Sequence, residues 1–300
     1  MKITVFGAGA IGSFFGGLLS EVHDVVLIGR TAHVDAILQN GLKISGLVDK
    51  FVYPDAQTTV SGLAEQDMVI VTVKAYDTEK AANEIESIVG ERTNVLSIQN
   101  GLENIFILRA KYGNKVYACV TSIGVTFLEP GHIRFAGAGD AIVGSIDGSI
   151  HLAREIADIF TRCGITSRVT DNILGEIWLK AIVNTTINPI TAIMSRSNSC
   201  ILADQDLTEL AKMVCQEALS VAAAENIALP TDDPFAQALN VARATGENIS
   251  SMLQDIRKGK KTEIDEITGK IVSKAREHGF SVPANETLWR LIRALTKKGL

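Results

Sequence analysis

The stretch that most constrains this chain is its beginning. Lys2–Phe6 is a short apolar run rich in β-branched residues. Gly7-Ala8-Gly9-Ala10-Ile11-Gly12 follows directly and opens an apolar helix over Ile11–Ser20, and a second strand is predicted at Asp24–Ile28. A lone G-x-G-x-x-G spacing is weak evidence. Set between a strand and a helix inside a βαβ-like unit, it points to a dinucleotide-binding turn. Gly7 permits the tight turn, Gly9 lets the backbone approach a pyrophosphate, and Gly12 lets helix and strand pack closely. The anion then meets unpaired N–H groups at the helix start, on a backbone completed by Ala8, Ala10 and Ile11. The plain alternative is a tight turn without a ligand. A secretory signal is the other reading, because residues 3–19 are apolar apart from Thr4 and Ser13; five glycines and the lack of an A-x-A-like cleavage site argue against it.

Beyond this turn the first half alternates apolar strands with helical patterns. Strands are predicted at Met68–Val73, Asn94–Ile98 and Ala141–Gly144, and a helix at His151–Arg162 closed by Gly164. The runs Lys115–Phe127 and Ile133–Phe135 flank a Glu129-Pro130-Gly131 turn and suggest a hairpin. Continuous apolar strands separated by helices predict a parallel sheet covered on both faces, a Rossmann-type α/β domain. Strand-like runs fade near residues 166–171, so the expected domains are 1–168, α/β, and 169–300, all-α. The chain has 300 residues, long enough for two such cores.

Charge and cysteines exclude other classes. With 29 basic and 34 acidic side chains the formal net charge is −5, which weakens the case for a general nucleic-acid binder. Cys119, Cys163, Cys200 and Cys215 lack metal-binding spacing, so they read as buried thiols in a reducing compartment. Together with the missing export signal this predicts a cytoplasmic protein with no metal site and no membrane span.

Three strand ends carry candidate ligand contacts, since ligands of open α/β sheets bind beyond the carboxyl ends of strands. The second strand ends in Ile28-Gly29-Arg30-Thr31, where NAD-preferring folds place a carboxylate. An arginine there suits a 2′-phosphate and predicts NADPH over NADH; a solvated loop cation is the alternative. Lys74 ends the MVIVTV strand and either reaches a phosphate or snorkels to water. Asn100, in Gln99-Asn100-Gly101, either hydrogen-bonds the nicotinamide ribose or the substrate, or serves the turn.

In the second half, ILGEIWLKAIVNTTI (residues 173–187) is apolar on most of its circumference, yet Glu176, Lys180, Asn184 and Asn188 recur every four residues, and Pro189 is expected to end the helix. The stripe is either one wall of a functional cleft or a solvated Glu176–Lys180 pair. Farther on, Ser251 and Asp255 share a helix face, Gly259 breaks that helix, and Thr262 is a plausible N-cap with Glu263, Asp265 and Glu266 in the first turn. Capping alone accounts for those acids.

These blocks carry a resemblance. GAGAIG, VTVKAYD, SIQNGLEN, EIWLKAIVNTTINPITAI, ENISSMLQDIRKGKKTEID and HGFSVPAN, running nearly end to end, are similar to the ketopantoate reductase family, and the last three blocks are specific to it. The resemblance implies NADPH-dependent reduction of 2-dehydropantoate to (R)-pantoate for pantothenate and coenzyme A synthesis. It also implies a helical second domain like the C-terminal domain of 6-phosphogluconate dehydrogenase. The family's catalytic lysine falls on Lys180 and its catalytic glutamate on Glu263. Its N-G asparagine falls on Asn100, its substrate contacts on Asn184, Asn188, Asn198 and Ser251, and its cofactor phosphate contacts on Arg30 and Lys74. No metal or histidine is required. The implied partner is a small molecule, with neither nucleic acid nor membrane, and a homodimer is left open. The rival expectations are a reductase of another 2-keto acid on this scaffold and a non-catalytic NADPH-binding sensor.

Overall fold

The computed structural model describes residues 1–297. It divides into two compact units: Met1–Gln99 with Glu103–Ile173, and Asn100–Leu102 with the chain from Leu174 onward.

The first unit contains β1 (Lys2–Phe6), α1 (Ala10–Leu19), β2 (Asp24–Ile28), α2 (Thr31–Asn40), β3 (Leu42–Gly46), β4 (Lys50–Val52), β5 (Asp55–Gln57), β6 (Met68–Val71), α3 (Thr78–Glu84), β7 (Asn94–Ser97), α4 (Asn104–Tyr112), β8 (Val116–Thr121), β9 (Gly124–Glu129), β10 (His132–Gly137), β11 (Ala141–Gly144), α5 (His151–Arg162) and β12 (Ser167–Val169). The main sheet runs β12-β11-β8-β7-β6-β1-β2-β5. Strands β5 to β8 in that row are parallel, and β11 turns antiparallel against β8. Strand order reverses at β1, between β2 and β6, which is where an open α/β sheet offers a ligand crevice. Ile3, Val5, Leu27, Met68, Ile70 and Leu96 of the sheet bury against Phe14, Phe15 and Phe160, with Phe15 and Phe160 edge to face at 5.1 Å.

A second sheet, β4-β3-β10-β9, absorbs the predicted hairpin. The Lys115–Phe127 run expected as one arm is two strands in different sheets. The break follows Thr121, whose hydroxyl takes the N–H of Ile123 in place of a strand partner. His33 of α2 locks the hairpin down: it accepts from Gly131 N at Nδ1 (2.9 Å), so its Nε2 carries the proton and donates to Ser13 Oγ of α1 (2.9 Å). Burial holds this imidazole neutral, with its pKa lowered to about 4.

The second unit is helical: α6 (Ile173–Met194), α7 (Cys200–Ala203), α8 (Gln205–Ala224), α9 (Pro234–Ala244), α10 (Ser251–Arg257), a π-helical turn (Asp265–Gly269), α11 (Lys270–Glu277) and α12 (Pro283–Thr296). Side-chain caps start three of these helices. Asp204 accepts from Asp206 N and Leu207 N, Asp233 from Ala236 N, and Ser250 from Leu253 N.

Three expectations are revised. The division falls after Ile173 rather than at residue 168, because β12 pairs with β11 and Ile173 is buried in the first unit's contacts. Pro189 lies inside α6 and does not end it. A proline normally breaks a helix at this depth, but Ile187 and Ile190 pack into one apolar cluster and Ala192 into another, so burial carries the helix on. It ends instead at Ser195, φ 52°, where Ser195 N bonds Ala192 O and Arg196 N bonds Thr191 O, a Schellman closure. Thr262 caps nothing, because the turn beyond it has Ile264 at its N-cap position and no side-chain cap. The four cysteines are buried and none is joined in a disulfide. Among the described residues, no helix is long and apolar enough to cross a membrane.

Candidate active site

The glycine turn is shaped by backbone contacts that side chains would destroy. Gly7 adopts φ +115°, and a Cβ there would lie 2.6 Å from Val73 N. A Cβ on Gly12 would lie 2.3 Å from Gly7 O, so α1 can approach the turn only through this glycine. Gly9 differs: the nearest atom to its Cβ position is Gly7 O at 3.9 Å, and the space beyond is open. Gly9 N–H is used by Gly7 O (2.6 Å), and Ser13 N reaches back to Gly9 O (2.9 Å). Helix α1 has no side-chain cap and no acidic residue in its first turn. The N–H groups of Ala10, Ile11 and Gly12 therefore face the open side without an intrahelical acceptor, and the positive end of the helix dipole adds to them. A diphosphate fits this cradle: it needs donors and room, and Gly9 supplies the room.

The neighbouring strand ends carry the first unit's other candidate contacts. Thr72, just past β6, donates its hydroxyl to Gly7 O (2.7 Å) and fixes the turn against the sheet. Arg30 is the exposed N-cap residue of α2, with extended backbone dihedrals, and Lys74 is half-buried at the N-cap position of a short 3₁₀ turn. Gln99 joins the β6 and β7 ends: its amide donates to Val73 O (2.9 Å) and to Thr78 Oγ1 (2.8 Å) and accepts from Ser97 Oγ (3.0 Å). Sequence reasoning overlooked Thr72 and Gln99 as supports. The signal available was a polar residue in, or just after, an otherwise apolar strand.

The second unit holds the other candidates. The four stripe residues all lie on α6; Glu176 and Asn188 are buried, and Lys180 and Asn184 are half-buried. Glu263 is 6 % exposed. It accepts a hydrogen bond from Asn100 Nδ2 at Oε2 (3.2 Å), across 163 residues of sequence. This is the contact that a capping role for Glu263 does not explain. Downstream, Glu266 has one carboxylate oxygen buried without a partner, and burial raises its pKa.

Asn198 is 8 % exposed. Its Nδ2 donates to Thr245 Oγ1 (2.9 Å), while its Oδ1 is buried with no partner. An orphaned amide oxygen costs about 1–3 kcal/mol of desolvation, an arrangement that suits a ligand donor. Ser251 lies exposed at the start of α10, and the adjacent Ser250, not Ser251, provides the cap. Asp255 is buried on the same helix. Among the described residues no group of His, Cys, Asp and Glu side chains is placed to hold a metal ion.

Comparison with known proteins agrees with this division. The family model described as ketopantoate reductase PanE/ApbA matches residues 3–148, and the model of its C-terminal domain matches residues 172–296. The 2-dehydropantoate 2-reductase of Pyrococcus horikoshii is 39 % identical over 100 % of this chain and 99 % of its own. Among solved structures, a PanE/ApbA family ketopantoate reductase from Ralstonia eutropha superposes with a TM-score of 0.92 at 32 % identity, covering 99 % of this chain and 98 % of that one. A ternary structure of D-mandelate dehydrogenase with NADH and anilino(oxo)acetate superposes with a TM-score of 0.93 at 27 % identity, with the same coverage. With both halves matched and full-length relatives above 30 % identity, the chain belongs to the ketopantoate reductase family.

Proposed function

We propose that the chain reduces 2-dehydropantoate to (R)-pantoate with NADPH, a step toward pantothenate and coenzyme A. The observation that carries this reading is the Asn100–Glu263 hydrogen bond. It joins the asparagine of the N-G turn to the glutamate of the T-E-I-D block, in the unit that also contains Lys180. A nicotinamide dinucleotide held there would supply the hydride for the keto carbon. The chain's own residues do the rest. Backbone N–H groups of residues 10–12 hold the diphosphate, and Arg30 and Lys74 add positive charge for the remaining phosphate. Lys180, as an ammonium, stabilises the negative charge developing on the carbonyl oxygen and gives it a proton from Nζ. Glu263 orients that lysine or accepts from the substrate hydroxyl. Asn184, Asn188, Asn198 and Ser251 hold the carboxylate and hydroxyl groups. The buried, unpaired Oδ1 of Asn198 supports an acceptor role toward a hydroxyl.

The similarity to D-mandelate dehydrogenase favours a second reading, reduction of a different 2-keto acid with NADH. Initial rates with a panel of keto acids and both cofactors separate the two. The first reading expects ketopantoate and NADPH to give the highest kcat/KM, and Arg30→Ala to raise the KM for NADPH while leaving that for NADH unchanged. Equal cofactor preference in native and variant enzyme would remove Arg30 from the assignment. A higher kcat/KM for an aromatic keto acid would replace the substrate.

A further inference from the structure

Within the second unit runs a buried polar chain that none of the proposed steps uses. Thr185, Thr268 and Asn285 are each 0 % exposed. Thr185 Oγ1 lies 2.8 Å from Thr268 Oγ1 and 3.0 Å from Asn285 Oδ1. Asn285 Nδ2 donates to Val214 O and to Glu217 Oε2, both at 2.9 Å. Glu217 also accepts the backbone N–H groups of Ala284 and Asn285, each at 2.9 Å, at the start of α12. The proton directions are forced. Flipping the Asn285 amide would set its oxygen against a carbonyl and a carboxylate, so Oδ1 faces Thr185. An amide oxygen cannot donate, so Thr185 donates to Asn285 and Thr268 donates to Thr185.

The surroundings are apolar. Ile182, Ile267 and Ile271 belong to one flanking cluster, and Val183, Val214 and Leu288 to another. Aliphatic side chains would fill this space without any polar desolvation cost. What they would not supply is direction: hydrogen bonds fix register where apolar packing tolerates sliding. The two hydroxyls sit where register matters. Thr185 is five residues beyond Lys180 on α6, and Thr268 is five residues beyond Glu263. Between Glu263 and Thr268 the backbone changes pitch. Ile267 N bonds Glu263 O with ordinary α spacing, while Gly269 N bonds Ile264 O across five residues (2.8 Å). Such π turns often accompany functional sites. On its other side the turn is tied by Trp289, whose indole N–H donates to Asp265 Oδ1 (2.7 Å).

We propose that Asn285 is a positioning residue which, through Thr185 and Thr268, fixes the register between the helix carrying Lys180 and the turn carrying Glu263. The inference rests on the catalytic reading of those two residues. Misplacement of about 1 Å at a reacting group can cost on the order of a hundredfold in rate, so loss of one link is expected to lower turnover without touching the dinucleotide cradle.

The test compares Thr268→Val and Thr185→Val, which remove a hydroxyl at nearly constant volume, with Thr268→Ser, which keeps it. Thr186→Val serves as a control for a buried hydroxyl bonded within its own helix. Each is assayed for kcat and KM with ketopantoate, Kd for NADPH, and thermal midpoint, with rates taken well below the lowest midpoint. The inference expects kcat down about tenfold or more in both links, an unchanged NADPH Kd, near-native kcat in Thr268→Ser, and no kcat loss in Thr186→Val. If a valine variant does not fold, Thr268→Cys, a weaker donor of similar size, takes its place with the same expectation. A lowered midpoint with native kcat in both links would overturn the inference, because the hydroxyls would then only hold the core together. A kcat loss in Thr268→Ser equal to that in Thr268→Val would also overturn it. Lys180→Ala and Glu263→Gln, run alongside, keep the two levels apart. If they retain native turnover, the catalytic reading fails; if they lose it while the threonine variants do not, only the register inference fails.

Discussion

The two units present their candidate ligand contacts in different material. In the first unit the proposed contacts at the glycine turn are backbone N–H groups, with the Arg30 and Lys74 side chains beside them, and the turn is shaped by residues whose missing side chains let the backbone through. In the second unit the candidate contacts are side chains, projected from α6, from α10, from the turn after Gly259 and from the loop after β7. The first kind of site is local: six consecutive residues, Gly7 to Gly12, specify it. The second kind is assembled by packing, as when Asn100 and Glu263 meet across 163 residues.

This difference predicts how each half breaks. The largest effect is expected from the side-chain half. Glu263→Ala should lower kcat/KM by about 10²-fold or more, the scale of a lost acid–base or positioning partner, with little change in NADPH Kd. A variant that loses only thermal stability would return Glu263 to a capping or core role.

In the backbone half, the glycines should separate by what lies beyond them. Gly12→Ala drives a Cβ into Gly7 O and should damage both fold and dinucleotide binding, by several kcal/mol, as for overpacking against backbone. Gly9→Ala meets nothing closer than 3.9 Å, so its thermal midpoint should stay near native while NADPH affinity falls. Titration and melting of the two variants check this. Parallel losses in both properties for Gly9→Ala would mean that the open side of the turn is not where the diphosphate lies.

A smaller, pH-dependent effect distinguishes the units again, because His33 belongs to the first. Folded His33 stays neutral down to about pH 4, whereas an unfolded histidine titrates near 6.5. Between those values the unfolded chain binds more protons. Stability is therefore full above about pH 6.5 and falls as pH drops toward 4, by roughly 3 kcal/mol in total. Protonation would also set Nδ1–H against the Gly131 N–H donor. Denaturant melts from pH 7 to 4.5 should show this slope in the native protein and a flatter one in His33→Gln. The smallest effect is at a helix end. Asn226 is exposed at φ 58°, and Asn226→Gly should raise stability by about 0.5–1 kcal/mol, as relief of a left-handed residue.

Legibility in the sequence follows the same divide. The parallel sheet, the glycine turn and the start of α6 were readable because each is announced by neighbours in sequence: apolar runs, glycine spacing and the four-residue period from Glu176 to Asn188. Pro189 misled because a local breaker was overruled by the burial of Ile187, Ile190 and Ala192 around it. Thr262 looked like a cap because a threonine followed by acids is the usual local signal, whereas Glu263 turns its carboxylate to Asn100. Composition and spacing left Glu263 in doubt, and only the resemblance singled it out. The buried oxygen of Asn198 and the chain through Thr185, Thr268 and Asn285 had no signal in composition or spacing, because polar residues at such positions are as often solvated; only the resemblance pointed to Asn198.

The most direct measurement is the turnover of Lys180→Ala with ketopantoate at saturating NADPH, read beside its NADPH Kd. The account predicts a folded protein that binds NADPH as the native enzyme does and turns over about 10²–10⁴-fold more slowly. Native turnover in that variant would contradict it.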